Sequence, residues 1–567
     1  MFSVMPVTYL QHGNRFLPFL FTLLFAGCAG QLSPGGGPVD TTPPSVVTTS
    51  PPNNATGVST QSVSVEFNKY VDRRSFEESI FISPPVGTLE FDWGGREVTV
   101  SWSDSLRKNT TYVVTLGTDI IDTRNRNRLA EAYSFAFSTG ERIDRASIGG
   151  RVYDERRAGV MILAYDLMHR PFGTCDPCRE SPDFVSQTGN DGRYTLTHLP
   201  PGMFRVFALR DEDRNLRYDR GLDAIGVPRG DVRIDTGAQR VMHLNFMLTK
   251  EDNVQPRLLL ASAIDRRHVE LRLSKGIDTA RFDRAHVTIT DSLGKSLPVQ
   301  ALFLSPQQFS SITAATAAQT SGMQYRATVD SVWDVSGLGI ALEIRTAPFT
   351  GSAVPDTLPP RLFSSTIADS ARDVQPGAPI GLSFSDAVVS KNFADSLRFT
   401  DSTGAAVRYH LRWLDAASVS LRLPDPLSLD ARYGLSAPAD AVMTLAGLKA
   451  VRPLRLTFWT ARTSTLGSLS GVVIDTTAGR QGGNVVMTAT RVEPPASFTV
   501  VLPDTGTFQF GNVPEGRYTL RGYRSTTGKY DFGSVLPFRP AAPFAVFPDT
   551  IRVRARWPVE GITFRFE

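Results

Sequence analysis

Apolar residues recur at every second position along most of this chain, and that period admits one main class of fold. Val63, Val65 and Phe67 alternate with polar neighbours, as do Val98, Val100 and Trp102, and later Leu454, Leu456 and Phe458. A period of two sets the apolar side chains on one face of a strand, whereas a helix face needs a period near 3.6. The runs are short, with Gly, Pro, Asn and Asp clustered between them, so they read as short strands joined by turns. Almost no helical periodicity competes. An all-β chain of sandwiches is expected. Its 567 residues exceed what one core organises, so several domains of ~100 residues follow.

Internal repeats sharpen this reading. One repeat opens Asp40-Thr41-Thr42-Pro43-Pro44, runs through Val58 to Phe67 and ends near Phe137-Ser138-Thr139. Another opens Asp356-Thr357-Leu358-Pro359-Pro360, runs through Val374 to Phe384 and ends near Phe458-Trp459-Thr460. Roughly Pro256 to Pro348 carries the same plan without that opening. Tyr112, Tyr325 and Tyr433 each lead a late strand, and each suits a tyrosine-corner bond to nearby backbone. A second repeat type interleaves with the first. Ser147-Ile148-Gly149-Gly150-Arg151-Val152-Tyr153-Asp154 parallels Ser468-Leu469-Ser470-Gly471-Val472-Val473-Ile474-Asp475. Phe184, Gly192, Tyr194, Pro200 and Gly202 then correspond to Phe498, Gly506, Phe508, Pro514 and Gly516. Asn190-Asp191-Gly192 and Asp504-Thr505-Gly506 read as hairpin turns.

On these residues the first repeat type resembles the SbsA-type bacterial Ig-like module, with its Asp-x-x-Pro-Pro opening and Phe-x-(Ser/Thr)-Thr closing strand. The second resembles the transthyretin-like, or carboxypeptidase-regulatory-like, sandwich, with its Ile-x-Gly-x-Val start and Asp-Gly-x-Tyr turn. The order of modules is similar to that of gram-negative envelope lipoproteins. Such a resemblance implies structural or binding roles, and neither module type brings catalysis of its own. The expected division is a leader at 1–27, a flexible tether at 28–41 and an Ig-like domain at 42–141. A carboxypeptidase-regulatory-like sandwich at 146–250, a degenerate Ig-like domain at 254–350, an Ig-like domain at 356–463 and a second regulatory-like sandwich at 467–567 follow.

The leader is an apolar stretch from Leu17 to Phe25 preceded by one charge, Arg15. It is too short to span ~30 Å of hydrocarbon as a helix and suits a secretory signal. Phe25-Ala26-Gly27-Cys28 resembles a lipoprotein cleavage box, with Phe25 where Leu is usual. That resemblance implies lipidation of Cys28, and Ala29 after it implies sorting to the outer membrane, on its periplasmic face or at the surface. The Gly/Pro-rich stretch behind Cys28 cannot bury a core and reads as a leash.

Charge excludes one class of partner. Removing residues 1–27 takes away one formal charge, so +4 becomes +3, far from the basic field that nucleic acid requires. The expected partners are the membrane, through the lipid, and an envelope protein or glycan.

Chemical candidates are few. Asp211, Asp213, Asn215 and Asp219 place oxygen side chains along one loop, with the Arg217 carbonyl and Asp223 in reach, as calcium requires. The loop is no EF-hand, because Leu216 replaces the turn Gly and Leu222 the bidentate Glu. The competing reading is a solvated, Asx-turn-rich loop. Calcium is the one cofactor in view. Cys175-Asp176-Pro177-Cys178 lies in a loop of an exported chain, where a local disulfide is the expected state; zinc would need further ligands, with His169 alone near in sequence. Arg552, Arg554 and Arg556 alternate with Ile551, Val553, Ala555 and Trp557, so a strand would turn three guanidinium groups outward. These could meet phosphate or carboxylate, or discourage edge-to-edge pairing. The histidines His169, His198, His243, His268, His286 and His410 form no catalytic arrangement with Ser or Asp, and Asp122 to Asn127 reads as a polar turn. Trp102, Trp413 and Trp557 share register with apolar neighbours and belong to the core, leaving Trp93 and Trp459 as exposed candidates for sugar stacking.

The sequence thus describes a non-catalytic, lipid-anchored envelope protein acting as structural, scaffold or adhesion element. The alternative is a protein that binds polysaccharide or another acidic envelope ligand. Short joints near Glu141–Ala146, Lys250–Pro256, Gly351–Pro359 and Ala461–Gly467 leave open whether the modules form a rod.

Overall fold

The computed structural model describes residues 38–235, 239–305, 307–476 and 483–566. The leader, the lipidation expected at Cys28 and most of the tether lie outside the described residues. Strands make up 47% of the chain and helix 6%, so the chain is all-β. No helix among the described residues is long and apolar enough to cross a membrane.

In the first sandwich, β1 (Val46–Ser50), β2 (Ser62–Phe67), β3 (Ile80–Ser83), β4 (Leu89–Gly94), β5 (Glu97–Trp102), β6 (Thr111–Leu116) and β7 (Tyr133–Ser138) form two sheets. Their orders are β1-β2-β5-β4 and β3-β6-β7. Val63, Val65 and Phe67 of β2 and Val98, Val100 and Trp102 of β5 all face the core between them. A single helical turn, Arg73–Glu77, crosses from one sheet to the other, and Asp72 caps it by accepting from the Ser75 amide. That turn exists to deliver Phe76, fully buried against Phe67, Phe91 and Trp93. Phe76→Ala would remove about 3–5 kcal/mol.

The described strands from Leu258–Ala263 to Thr346–Thr350 repeat the pairing order of β1 to β7, and so do those from Leu362–Ser365 to Leu454–Thr460. In the latter, Ala371–Val374 adds a strand parallel to Leu454–Thr460, where the first sandwich has the single parallel bridge Ala55–Phe137. The tyrosine corner is present in all three. Tyr112, Tyr325 and Tyr433 each accept, through the hydroxyl, from the backbone N–H five residues upstream, on Arg107, Thr320 and Ser428, at 2.8, 3.0 and 3.0 Å.

The second sandwich contains β8 (Ala146–Tyr153), β9 (Met161–Asp166), β10 (Phe184–Gln187), β11 (Arg193–Leu199), β12 (Gly202–Arg210), β13 (Ala224–Gly226), β14 (Val232–Ile234), β15 (Arg240–Val241) and β16 (Phe246–Met247). β8 lies between antiparallel β11 and parallel β15 and β16; β9 and β12 are central in the facing sheet. The C-terminal sandwich repeats this plan strand for strand, with Leu466–Asp475 in the place of β8 and Pro558–Phe566 in that of β15 and β16. The paired glycines Gly150 and Gly471 have the same cause. A Cβ on Gly150 would stand 2.1 Å from the Leu244 carbonyl oxygen, and on Gly471 2.0 Å from that of Ile562. The incoming parallel segment needs that space.

Candidate functional site

Neighbouring and distant sandwiches meet at built seams, and there the side chains that matter for the arrangement are found. Between the first and second, the buried Gln187 accepts from the Thr118 amide at 2.6 Å and donates to Asp119 and to the Gly159 carbonyl at 3.1 and 3.0 Å. The Thr118 hydroxyl donates to the same oxygen at 3.1 Å, so the whole amide is used and fixes an orientation that an apolar contact would leave free.

The longest-range seam joins the second sandwich to the fifth. The loop between Gly516–Ser525 and Phe544–Val546 reaches over and inserts Val535 and Ala541 into a cluster with Tyr165, Leu209, Tyr218 and Ile225. Arg205 there holds Asp231 through two bonds of 2.7 Å. Its guanidinium lies 3.6 Å from the centre of the Phe538 ring, worth roughly 1–2 kcal/mol in such a desolvated setting. The Ala541 amide donates to the Pro228 carbonyl at 3.1 Å. The chain therefore returns on itself rather than extending module after module.

The topologically equivalent loop of the second sandwich, between β12 and β13, is the acidic one. Asp211, Asp213 and Asp223 each offer an oxygen, all within 4.8 Å of one another. Asn215 bridges to Asp213 and Asp219 through its amide nitrogen at 2.9 and 2.6 Å. Asp211 accepts from the Asn215 and Leu216 amides, and Asp223 from those of Glu212 and Asp219. Burial, together with Asp213 and Asp223 beside it, pushes the Asp211 carboxyl up to about 6. Burial likewise raises Asp223. The donor set, hard oxygens around a negative centre, fits calcium. Turning the Asn215 amide over would present its oxygen to an ion. In the fifth sandwich neutral groups shape this turn: the Tyr523 and Ser525 hydroxyls donate to the Gly528 and Lys529 carbonyls.

Cys175 and Cys178 stand as unbonded cysteines in the structure. Cys175 is buried among Tyr165, Leu209 and Val535, with Cys178 packed at the edge of the same cluster. The pair thus serves as apolar filling of the seam. Burial pushes the Cys175 thiol up to about 11; burial and Asp176 raise Cys178. His169 bonds Asp166 at 2.7 Å.

The arginine strand is also interrupted. Only Ile551–Val553 is strand; the chain then turns, with Arg556 at φ 64° and its amide donating to the Leu466 carbonyl at 2.7 Å. Arg552, Arg554 and Arg556 are exposed but do not share one strand face. Trp557, expected in the core, is 68% exposed, because the turn reverses the alternation. Trp93 and Trp459 are each half-buried and share their rings with arginines. Trp93 packs edge-on to Phe76 beneath Arg73, and Trp459 lies under Arg372 and Arg432.

At the seam of the third and fourth sandwiches, His268 is 8% exposed. Its Nδ1 faces Asp265 at 2.8 Å and its Nε2 faces Asp386 of the next module at 3.1 Å. Two carboxylates on two ring nitrogens require both to carry protons. Burial alone would lower this imidazole; bonds and charges from Asp386 and then Asp265 outweigh it and carry it up to about 9. Nothing in the sequence marked His268, since its second partner, Asp386, lies on the far side of a domain boundary.

Residues 40–139 and 356–460 match the bacterial Ig-like domain family; the chain contains tandem modules of that class. No curated protein sequence matches it. Among solved structures, it resembles the surface layer protein SbsC, domains 1–6, at 10% identity over 90% of this chain and 67% of that one, with TM-score 0.16. The N-terminal part of the bacterial S-layer protein SbsC aligns at 12% identity over 36% of this chain, which spans 44% of that one, with TM-score 0.16. The major pilin subunit of Bacillus cereus aligns at 8% identity over 75% of this chain and all (100%) of that one, with TM-score 0.15. Scores of this size do not define a shared arrangement of modules.

Proposed function

We propose that this chain is a non-catalytic element of the gram-negative cell envelope, a scaffold or adhesin, anchored in the outer membrane through a lipid on Cys28. The observation that carries the reading is the set of built seams. Gln187, His268 and the Arg205–Phe538 contact spend buried polar groups on fixing modules against each other. Such contacts serve a protein whose work is to hold surfaces at set positions. The second and fifth sandwiches are read as carboxypeptidase-regulatory-like modules, which the shared strand order and the glycine pair Gly150 and Gly471 support.

Radiolabelled palmitate should enter the chain in cells and be lost in Cys28→Ser, and crosslinking in the intact envelope should capture a defined neighbour. An unlabelled chain, or one released from the envelope by salt alone, would defeat the reading.

The acidic loop is read as a calcium site, holding the ion with Asp211, Asp213, Asn215, Asp219 and Asp223. Calcium at about 100 times its dissociation constant would stabilise the second sandwich by about 2.7 kcal/mol. The melting temperature of the full chain should rise in calcium and not in Asp211→Asn/Asp213→Asn. No rise at millimolar calcium removes the assignment.

A further inference from the structure

The seam of the second and fifth sandwiches leaves an open groove of about 610 Å³. One wall is the outer side of β8 and β11, including Arg151, Tyr153 and Arg193; the other is the edge of the fifth sandwich, including Phe544 to Pro548 and Arg565. Five consecutive residues line that edge, so the backbone itself faces the groove. Strand Phe544–Val546 pairs on one side only, with Arg521 to Tyr523. The Pro543 carbonyl and the Phe547 amide point inward, bonded to Arg524 and Leu520. Strand geometry then turns the N–H and C=O of Phe544 and Val546 outward, and these make no hydrogen bond among the described residues. Unpaired strand groups of this kind are a template for another strand.

The charge of the groove is one-sided. Among its described lining residues stand three arginines and no aspartate or glutamate. Arg565 has no ion-pair partner among the described residues. Arg151 lies over Tyr153 at 5.4 Å and donates to the Asp191 carbonyl; Arg193 is paired at 3.3 Å with the exposed Asp191.

We propose that this groove binds an extended, carboxylate-rich peptide segment, which adds as a strand to Phe544–Val546 while its acidic side chains meet Arg151, Arg193 and Arg565. Backbone pairing supplies affinity and the arginine forks supply selectivity. A peptide fits better than an acidic glycan because a glycan has no regular row of amides to match the free edge. The inference rests on the contact role proposed above and names the surface and the partner chemistry.

The test uses the full chain and a fluorescent ten-residue peptide of alternating Glu and Val, read by anisotropy. The peptide should bind, weaken as salt rises, and bind at least tenfold more tightly than its Lys/Val counterpart. Arg151→Ser/Arg193→Ser/Arg565→Ser should lose at least tenfold. Val546→Pro removes an outward amide and should lose as much. Should that variant not fold, N-methylating alternate peptide residues must abolish binding to the wild-type chain. Equal binding of the acidic and basic peptides, or binding indifferent to N-methylation, overturns the proposal. Polygalacturonate bound where the acidic peptide is not also overturns it. Lost peptide binding with envelope crosslinks retained removes the groove alone; lost crosslinks with peptide binding retained remove the envelope role alone.

Discussion

The first and fourth sandwiches share a strand order, an Asp-x-x-Pro-Pro opening and a tyrosine corner, yet they neutralise the opening aspartate by different means. In the first, Lys69 bonds Asp40 at 2.7 Å and stands 3.9 Å from the buried Asp122. The third keeps this plan, with Lys275 between Asp252 and Asp334. Single bridges from Val71 to Asp122, Ile277 to Asp334 and Val388 to Thr444 fix the correspondence. By that register Asp386 occupies the lysine position of the fourth sandwich. Asp356 consequently faces a carboxylate, and its Oδ2 is buried without a hydrogen-bond partner. The cation comes from next door as His268. A module that carries its own cation is self-sufficient; one that borrows it is tied to the lender.

The sharpest way to break this contrast is His268→Leu. It leaves Asp265 and Asp386 facing each other without the cation that stood between them, and stranding one half of a buried pair costs about 3–5 kcal/mol. Hydrogen exchange should rise at both His268–Leu273 and Ile380–Phe384, while the first sandwich stays protected. Adding Asp386→Lys to that variant should recover most of the loss, because an ammonium then stands where Lys69 stands. Failure of the rescue would mean that the two modules differ by more than the place of one cation.

Acidity offers a test without mutation. The imidazole of His268 is raised in the folded chain to about 9 from an unfolded value near 6.5. Its contribution is therefore fully present below about pH 6.5 and disappears as pH rises through about 9, amounting to up to about 3 kcal/mol. The groups facing it are Asp265, Asp386, Asp356 and the Arg267 charge. Urea midpoints of the third and fourth sandwiches should fall between pH 7 and 9.5, and those of the first should not. A flat profile would show that His268 is neutral.

Lys69→Met is the matching cut in the first sandwich and should cost less, about 1–2 kcal/mol. Asp40 is half exposed and can turn to water. Asp122 keeps three backbone amides on Oδ1, from Arg124, Asn125 and Arg126, and loses only the lysine opposite Oδ2. Urea denaturation read at β2 and β5 measures it. A loss equal to that of His268→Leu would erase the distinction between an internal cation and a shared one.

Strands and corners were legible because their causes are local. Period two reports which face of a strand is wet, and Tyr112, Tyr325 and Tyr433 stand five residues after the amides they accept from. The same alternation misled at Trp557, since side chains can alternate through a turn whose backbone is held by the Leu466 carbonyl. The spacing of Cys175 and Cys178 reports proximity and not that both sulfurs face an apolar cluster. The acidic loop was visible as a run of oxygens. His268, Gln187 and Arg205 were not visible, because each acts on a residue of another module that no local pattern brings near.

The smallest effect isolates what the modules have in common. Tyr112→Phe, Tyr325→Phe and Tyr433→Phe each remove one hydroxyl and leave one backbone amide, on Arg107, Thr320 or Ser428, without its partner. Each bond is internal to its sandwich and of nearly equal length, so each loss should be about 1 kcal/mol and independent of pH between 6 and 9.5. Thermal melts followed by hydrogen exchange in each module would resolve the three. Equal, pH-independent losses would confine the peculiarity of the fourth sandwich to its borrowed charge. A Tyr433→Phe loss several times the other two would instead mean that the missing lysine has loosened that module as a whole, and that His268 supports a weak fold as well as a joint.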